Sequence, residues 1–323
     1  MNQNLPPSSL RIHQFAGLSA GPKLLVLGAV HGNEVCGTQA IERLRAELEA
    51  GDIAIERGQL TLVPIVNPLA YQKGQRQGDR NLNRNLGITA QPQDFEDRVA
   101  NVLCPLLAAH DVLLDLHSFH TTGQPFVMIG PTDNNGDLEP FAHAQQEARL
   151  VAHLGPSRVV EGWMSTYERG VQRRRTSGQA YAPALLDARY GVGTSEYMRA
   201  HGGYGVTLEC GQHQDPKAPE TAYRAIRQTL ALLQLAPIVL EPAGTEFETL
   251  QLADVIDREH PQDQFARPWA SFDKVHAGDV IGRRHDGREI TAPADGHIVF
   301  PNPNATPGAE WFYFAQKSAR RIG

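Results

Sequence analysis

Apolar runs alternate with segments of helical periodicity over residues 20–235. The run at 24–30 follows Gly21-Pro22 and contains no polar side chain, which is typical of a strand buried on both faces of a sheet. Further, mainly apolar runs are found at residues 60–66, 112–116 and 206–209. Strands that alternate with helices predict an α/β fold with a mostly parallel or mixed sheet and helices on both faces.

Helices are predicted between these runs from the spacing of their apolar residues. The periodic segment 41–48 precedes Gly51, which stands where a helix C-cap belongs. A second helix is predicted over 95–106, and we expect Pro105 to bend or end it because proline cannot donate a backbone hydrogen bond. Two more helices are predicted over residues 138–154 and 223–233.

Two other stretches have a different pattern. Residues 162–205 contain eight glycines and six arginines with little periodicity, which favours binding loops or a lid over regular elements. After Pro237 the chain shows short alternating runs with frequent glycine and proline. This pattern predicts a small β domain. We therefore divide the chain into an α/β domain at 1–240 and a small β domain at 241–323.

Composition narrows the class of protein. The 323 residues carry a net charge of −6, which argues against binding to nucleic acid or to an acidic membrane surface, since both favour a basic face. Three cysteines are too few for a disulfide framework and favour a reducing compartment. No apolar run reaches the ~18 residues of a membrane span, and the N-terminus does not resemble a signal peptide. These features predict a cytoplasmic protein.

Chemically active side chains follow the predicted strands. His31 and Glu34 come after the first strand, His117 after the third, and Glu209 at the end of a later one. In an open parallel sheet, ligands bind at the carboxyl ends of the strands. Two histidines and one carboxylate form a common catalytic zinc site that leaves a fourth position for water. Glu209 would then accept a proton from that water.

Each of these residues also has an ordinary structural interpretation. His31 could be a strand-end histidine that bonds to backbone, and His120 competes with His117 for the role of ligand. Glu209 is harder to explain in this way, because carboxylates are seldom buried without a partner. The combination, rather than any single residue, favours a metal site.

A loop rich in arginine and asparagine lies between the second and third strands. It contains Arg76, Arg80, Asn81, Asn83 and Arg84. The planar guanidinium of arginine matches a carboxylate with two hydrogen bonds, and it could also stabilise an oxyanion formed from a carbonyl. A solvated basic surface loop is the alternative interpretation.

Four motifs, HGNE, the NP…R…LNR stretch, DLH and LECG, together resemble the aspartoacylase and succinylglutamate desuccinylase family, a branch of the zinc carboxypeptidase-like amidohydrolases. The resemblance covers about residues 22–235 and implies a catalytic domain there. It implies one zinc ion per chain with His31, Glu34 and His117 as ligands. It also implies that Glu209 is the general base.

The resemblance extends to residues that would contact the substrate. It implies that Arg76 polarises the scissile carbonyl and that Asn83 and Arg84 hold the α-carboxylate of the substrate. It further implies that Arg199 acts toward the acyl or side-chain end. Two positions depart from the family pattern, since Asn81 and Ser195 stand where an aspartate and a tyrosine are common.

The resemblance therefore implies a zinc-dependent amidohydrolase acting on linear amides, a deacylase that cleaves a small N-acyl amino acid. We expect neither a nucleic-acid nor a membrane partner, and homo-oligomerisation stays open. Two alternatives remain: a carboxypeptidase acting on peptides or cell-wall fragments, and a non-catalytic protein that binds a metal or a carboxylate. The acyl group and the amino acid do not follow from the sequence.

Overall fold

The computed structural model describes residues 6–176 and 181–322. The strands in these ranges are β1 (His13–Ala16), β2 (Ser19–Gly28), β3 (Arg57–Val63), β4 (Val112–Phe119), β5 (Phe126–Met128), β6 (Arg158–Glu161), β7 (Tyr204–Gln212), β8 (Glu248–Asp257), β9 (Gln264–Phe265), β10 (Lys274–Val275), β11 (Val280–Arg283), β12 (Glu289–Thr291), β13 (Gly296–Val299) and β14 (Glu310–Lys317). The α-helices are α1 (Cys36–Ala50), α2 (Pro68–Lys73), α3 (Phe95–Ala108), α4 (Ala144–Val151), α5 (Trp163–Thr176), α6 (Thr194–Ala200) and α7 (Ala218–Leu232). Two short 3-10 helices span Pro183–Leu186 and Ala188–Gly191.

The main sheet has eleven strands in the order β1-β3-β2-β4-β7-β5-β6-β8-β14-β13-β10. Strands β3, β2, β4 and β7 run parallel to their neighbours in this group, whereas β5 is antiparallel to β7. A mixed α/β sheet is therefore confirmed. The parallel group brings the carboxyl ends of β2, β4 and β7 to one edge, where ligands bind in folds of this kind.

The apolar run of β2 explains how the helices cover both faces of the sheet. Leu24 and Val26 pack into a core with residues of α1 and α7, whereas Leu25 and Leu27 pack into a second core with residues of α3 and α6. All four side chains are fully buried. Because successive side chains of a strand point to opposite faces, an unbroken apolar run is required when both faces are covered.

Two helical predictions need correction in their bounds. Helix α3 continues through Pro105 to Ala108, so this proline does not end it. Leu103 and Leu107 are buried on either side of Pro105, and their packing offsets the single backbone bond that proline removes. Helix α4 covers only Ala144–Val151 of the predicted 138–154.

The expectation of irregular structure over 162–205 was wrong in part, because helices α5 and α6 lie there. Helix α5 is rich in arginine, but it also buries Met164, Tyr167 and Val171 at helical spacing. Its arginines add polar contacts to β8: Arg169 donates to the Ala253 carbonyl oxygen at 3.0 Å, and Arg174 pairs with Asp257 at 2.7 Å. The apolar positions are few and stand among charged residues, so the sequence pattern did not reveal the helix. The lid expected in this segment remains untested, and residues 177–180 of it lie outside the described residues.

Only strands and loops occur in the described part of 241–323, as the sequence pattern indicates. Strand β8 pairs with β6 on one side and with β14 on the other, so the main sheet continues across residue 240. Strands β12, β11 and β9 form a separate small sheet. The division of the chain at residue 240 stays a prediction. Among the described helices, none has both the length and the apolar character needed to cross a bilayer.

Candidate active site

A cavity opens at the carboxyl ends of β2, β4 and β7. Its walls bring together residues that are distant in the chain, because the loops after these strands, helix α6 and strand β14 all meet there. The residues discussed below that line it are His31, Arg76, Asn83, Arg84, His117, His120, Trp163, Glu196, Arg199, Thr207, Glu209, Glu310 and Tyr313.

Three buried side chains converge at the base of this cavity. The Nδ1 atom of His31 lies 2.9 Å from one oxygen of Glu34, and Nδ1 of His117 lies 2.8 Å from the other. One ligand atom from each residue lies within 4.8 Å of the other two. The contact of His31 Nδ1 with Glu34 lacks hydrogen-bond geometry, and this nitrogen makes no hydrogen bond to any other described residue. An imidazole nitrogen buried without a hydrogen bond, next to a second imidazole and a carboxylate, fits a zinc ion.

The outer nitrogen of each histidine has its own partner. Nε2 of His31 lies 3.1 Å from the Asn81 side-chain oxygen, and Nε2 of His117 lies 3.0 Å from the Asp115 carboxylate. Contacts of this type orient a ligand histidine and leave its other nitrogen for the metal. The Thr194 hydroxyl donates a hydrogen bond to Asp115 and helps to fix it.

Sequence reasoning missed Asp115, although a signal was present. Asp115 stands two residues before His117 in β4, and residues two apart share one face of a strand. His120, the rival of His117, also lines the cavity, but its Nε2 lies 2.8 Å from the Pro301 carbonyl oxygen. Within the described ranges, the group of candidate ligand atoms contains His117 and not His120.

The electrostatics of the histidines follow from their burial. Burial lowers the pKa of His31 to about 4, and the positive charge of Arg76 acts in the same direction. His31 is therefore neutral at physiological pH, as a metal ligand must be. Burial also disfavours the charged form of His117, but the carboxylates of Asp115 and Glu34 outweigh it and raise the pKa of His117 above its ordinary value.

Glu209 lies beside this group, at the end of β7 and in register with His117 of β4. It is only 7% exposed, and its Oε2 atom finds no hydrogen-bond partner among residues 6–176 and 181–322. Burial, followed by the negative charge of Glu34, raises the pKa of Glu209 to about 8. A carboxylate whose pKa lies near neutrality can both accept and return a proton during a reaction.

The arginine loop is held in place by a buried carboxylate. Glu96, which is fully buried in α3, accepts hydrogen bonds from the backbone N–H groups of residues 78–80 at 2.8–3.2 Å. At the start of this loop, Arg76 reaches Glu34 at 2.8 Å while half of its side chain stays exposed. Arg80 pairs instead with Asp94, the N-cap residue of α3, and with Asp97 in its first turn. The sequence did not single out Glu96, because one glutamate in a helix carries no distinctive pattern.

Asn83 and Arg84 also line the cavity. The side-chain oxygen of Asn83 accepts a hydrogen bond from the Thr194 backbone N–H at 2.9 Å. Arg84 is buried with its guanidinium 4.7 Å from the Trp163 ring centre and 3.1 Å from the Glu310 carboxylate. Glu310 comes from β14, 226 residues further along the chain, so no local pattern could reveal this pair.

Arg199 lines the remaining part of the cavity from helix α6. Its guanidinium is buried and pairs with three carboxylates, those of Glu139, Glu147 and Glu196. The structure therefore brings all eight residues that the sequence singled out into one region, with Glu34 directly behind the cavity wall. The assignment of a role to each of them remains a prediction.

Comparison with known proteins gives the family context. A family model described as succinylglutamate desuccinylase/aspartoacylase catalytic domain matches residues 20–236, well over half of the chain. The N-alpha-acetyl-L-2,4-diaminobutyric acid deacetylase of Halomonas elongata is 34% identical over 107 residues, which are 30% of this chain and 29% of that protein. The N-acyl-aromatic-L-amino acid amidohydrolase (carboxylate-forming) of Rattus norvegicus is 36% identical over 110 residues, 30% of this chain and 33% of that protein. The matches span about a third of the length of these curated relatives.

Solved structures show the same fold over nearly the whole chain. A succinylglutamate desuccinylase/aspartoacylase from Rhodobacter sphaeroides superposes with a TM-score of 0.71 at 17% identity, covering 96% of this chain and 90% of that one. The product-bound ectoine utilization protein EutE (DoeB) from Ruegeria pomeroyi gives a TM-score of 0.67 at 21% identity, covering 94% and 88%. The coverage includes the C-terminal strands, so the fold as a whole is shared.

Proposed function

We propose that this chain, which belongs to the succinylglutamate desuccinylase/aspartoacylase family, is a zinc-dependent hydrolase that cleaves the amide bond of a small N-acyl amino acid. One observation carries the proposal. Glu209 is buried beside the converging group of His31, Glu34 and His117, and one of its oxygens has no hydrogen-bond partner within the described ranges. A closed structural zinc site would have a fourth protein ligand, whereas a catalytic site has three and a nearby base.

In this proposal His31, Glu34 and His117 hold the zinc ion. When bound, zinc supplies Lewis-acid polarisation of the substrate carbonyl and lowers the pKa of a water molecule. Glu209 accepts a proton from the attacking water as its oxygen bonds to the carbonyl carbon. The carbon–nitrogen bond then breaks, and Glu209 returns the proton to the leaving amine. The products are a carboxylate and a free amino acid.

The arginine loop positions the substrate. Arg76 donates hydrogen bonds to the carbonyl oxygen, where negative charge develops during attack. Its side chain is half exposed and is held by an ion pair with Glu34, which leaves donors free to face a substrate. Asn83 and Arg84 bind the α-carboxylate. Arg199 acts at the side-chain end of the cavity.

A panel assay with added zinc tests the proposal. We expect about one zinc ion per chain in purified protein, and hydrolysis of at least one N-acetyl amino acid among acidic, neutral and basic examples. Hydrolysis of short peptides alone would favour a carboxypeptidase. Zinc binding without any hydrolysis would favour a non-catalytic metal-binding protein. His117→Ala should abolish zinc binding, and zinc retained by this variant would contradict the ligand assignment.

The cytoplasmic location and the absence of nucleic-acid and membrane partners stay predictions, and oligomerisation remains open.

A further inference from the structure

The surroundings of Arg199 set it apart from the other arginines of the cavity. Its Nε atom donates to Glu139 at 2.8 Å, and one terminal nitrogen donates to Glu147 at 3.2 Å and to the Gly205 carbonyl oxygen at 3.1 Å. The other terminal nitrogen donates to Glu196 at 2.8 Å and lies 2.8 Å from Glu139. A guanidinium has five N–H groups, and these contacts occupy all three of its nitrogen atoms. Arg199 therefore has little capacity left to bind a substrate anion.

The carboxylates around Arg199 are themselves fixed by the backbone. Glu147 is fully buried and accepts hydrogen bonds from the N–H groups of Gly130 at 2.7 Å and Gly205 at 3.4 Å. Glu196 accepts another from the N–H group of Gly193 at 3.0 Å. They therefore form a rigid acidic cluster with Glu139 and Arg199.

Charge in this cluster is unbalanced, with three carboxylates around one guanidinium. The next cation on the Glu147 side is Arg320, which is itself paired with Glu161 at 3.0 Å. Burial raises the pKa of Glu139 to about 7, and the charges of Glu196 and Glu147 act in the same direction against the favourable charge of Arg199. A fourth carboxylate brought here by a substrate would meet the same repulsion.

The cluster lies within reach of a bound substrate. Glu196 and Arg199 line the cavity together with Thr207. Gly205, Thr207 and Glu209 occupy alternate positions of β7 and share one of its faces. A strand advances about 7 Å per two residues, so the cluster is roughly 7–13 Å from Glu209. Extended side chains with three or four carbon atoms before a terminal nitrogen reach the near end of this range from the scissile amide.

We propose that this end of the cavity excludes acidic side chains and accepts an N-acyl amino acid whose side chain is positively charged, with Glu196 receiving the ammonium group. The inference rests on the proposed function and names the substrate class. Arg199 is then a positioning residue that holds the acidic cluster together. The family resemblance implies that Arg199 acts toward the acyl or side-chain end of the substrate, and in this proposal it does so indirectly, through the carboxylates that it holds.

Binding to an inactive variant tests this class of substrate. Zinc-loaded Glu209→Gln protein is titrated calorimetrically with three N-acetyl amino acids of equal side-chain length, those of ornithine, glutamine and glutamate. We expect the dissociation constants to rise in that order, with the cationic and acidic ligands differing about tenfold to a hundredfold, because the carboxylate of the acidic ligand is repelled by the like charges of the cavity wall. Equal or tighter binding of the acidic ligand would overturn the proposal. Failure of all three to bind would overturn it as well.

A second variant tests the role of Glu196. In the Glu209→Gln background, Glu196→Gln keeps an oxygen that can accept from the Gly193 N–H group but removes the negative charge in the cavity wall. The ratio of the dissociation constants for the acidic and the cationic ligand should shrink about tenfold in this variant. In the control Glu220→Gln, on the exposed face of α7, this ratio should stay unchanged. An unchanged ratio in Glu196→Gln would contradict the assignment. Selective binding without any hydrolysis by the unmodified enzyme would refute the proposed function while leaving the charge selection intact.

Discussion

At one end of the cavity, His31 and Glu209 each contain a buried polar atom without a hydrogen-bond partner in the described part of the chain. At the other end, Arg199 bonds to the chain through all three of its nitrogen atoms. Unpaired buried polar groups cost stability, so their persistence indicates that they are satisfied by a metal, water or substrate. Fully paired groups instead set the shape and charge of the wall. We therefore assign chemistry to the first end and substrate selection to the second.

The strongest test of this contrast is the replacement of Glu209. We expect Glu209→Gln to lower kcat by about 10²–10⁴-fold, the range of general acid–base catalysis. Its zinc content should stay at the level of the unmodified protein, because Glu209 is not among the candidate ligands. Parallel measurements of kcat and of bound zinc check both statements. Retained activity would remove Glu209 from the mechanism, and loss of zinc would make it a ligand.

Variants of Arg199 and Arg76 should differ in the property that they change, stability for the first and kcat for the second. Arg199→Gln should lower the free energy of unfolding by about 3–5 kcal/mol, because it leaves buried carboxylates uncompensated. Arg76→Gln should change stability by less than about 1 kcal/mol, since its ion pair is half exposed. It should nevertheless lower kcat about 10²-fold through loss of a donor to the oxyanion. Urea unfolding measures the change in stability, and steady-state kinetics measures the change in kcat. Equal destabilisation by both variants would contradict the assignment of a structural role to Arg199 and a catalytic role to Arg76.

Replacing Asp115, the partner of His117, should have a smaller effect, which is limited to metal binding. We expect Asp115→Asn to weaken zinc binding about 10–100-fold, as is typical when the outer partner of a ligand histidine is altered. Competition with a zinc chelator gives the dissociation constant, with Glu220→Gln as the surface control. An unchanged dissociation constant would show that Asp115 is required only for its buried bond to Thr194.

The two ends also differ in how far the sequence could predict them. His31, His117 and Glu209 could be found because apolar runs reveal where strands end, and parallel strands bring those ends together. The carboxylates Glu139 and Glu310 could not, because their partners are 60 and 226 residues away and nothing near them in the chain is distinctive. A strand end is a local property, whereas pairing between distant charges depends on the completed fold.

The same reasoning explains the errors in the secondary structure. Strands of the parallel group were predicted well, since burial on both faces leaves a strong apolar signal. Helix α5 was not predicted, because its few buried apolar residues stand among the arginines that bond to β8. The acidic cluster is a case in which charged groups, and not apolar periodicity, determine the structure.

The smallest expected effect is a pH dependence of stability at the acidic cluster. Because the pKa of Glu139 is raised to about 7 in the folded protein, the fold favours its protonated form. Its contribution is therefore fully present below the ordinary glutamate pKa of about 4.3 and is lost as pH rises toward 7. Glu139→Gln, which stays neutral, should lose less stability than the unmodified protein between pH 5 and pH 8. Thermal unfolding of both proteins across this range measures the difference, and parallel curves would show that burial and the neighbouring carboxylates do not raise the pKa of Glu139.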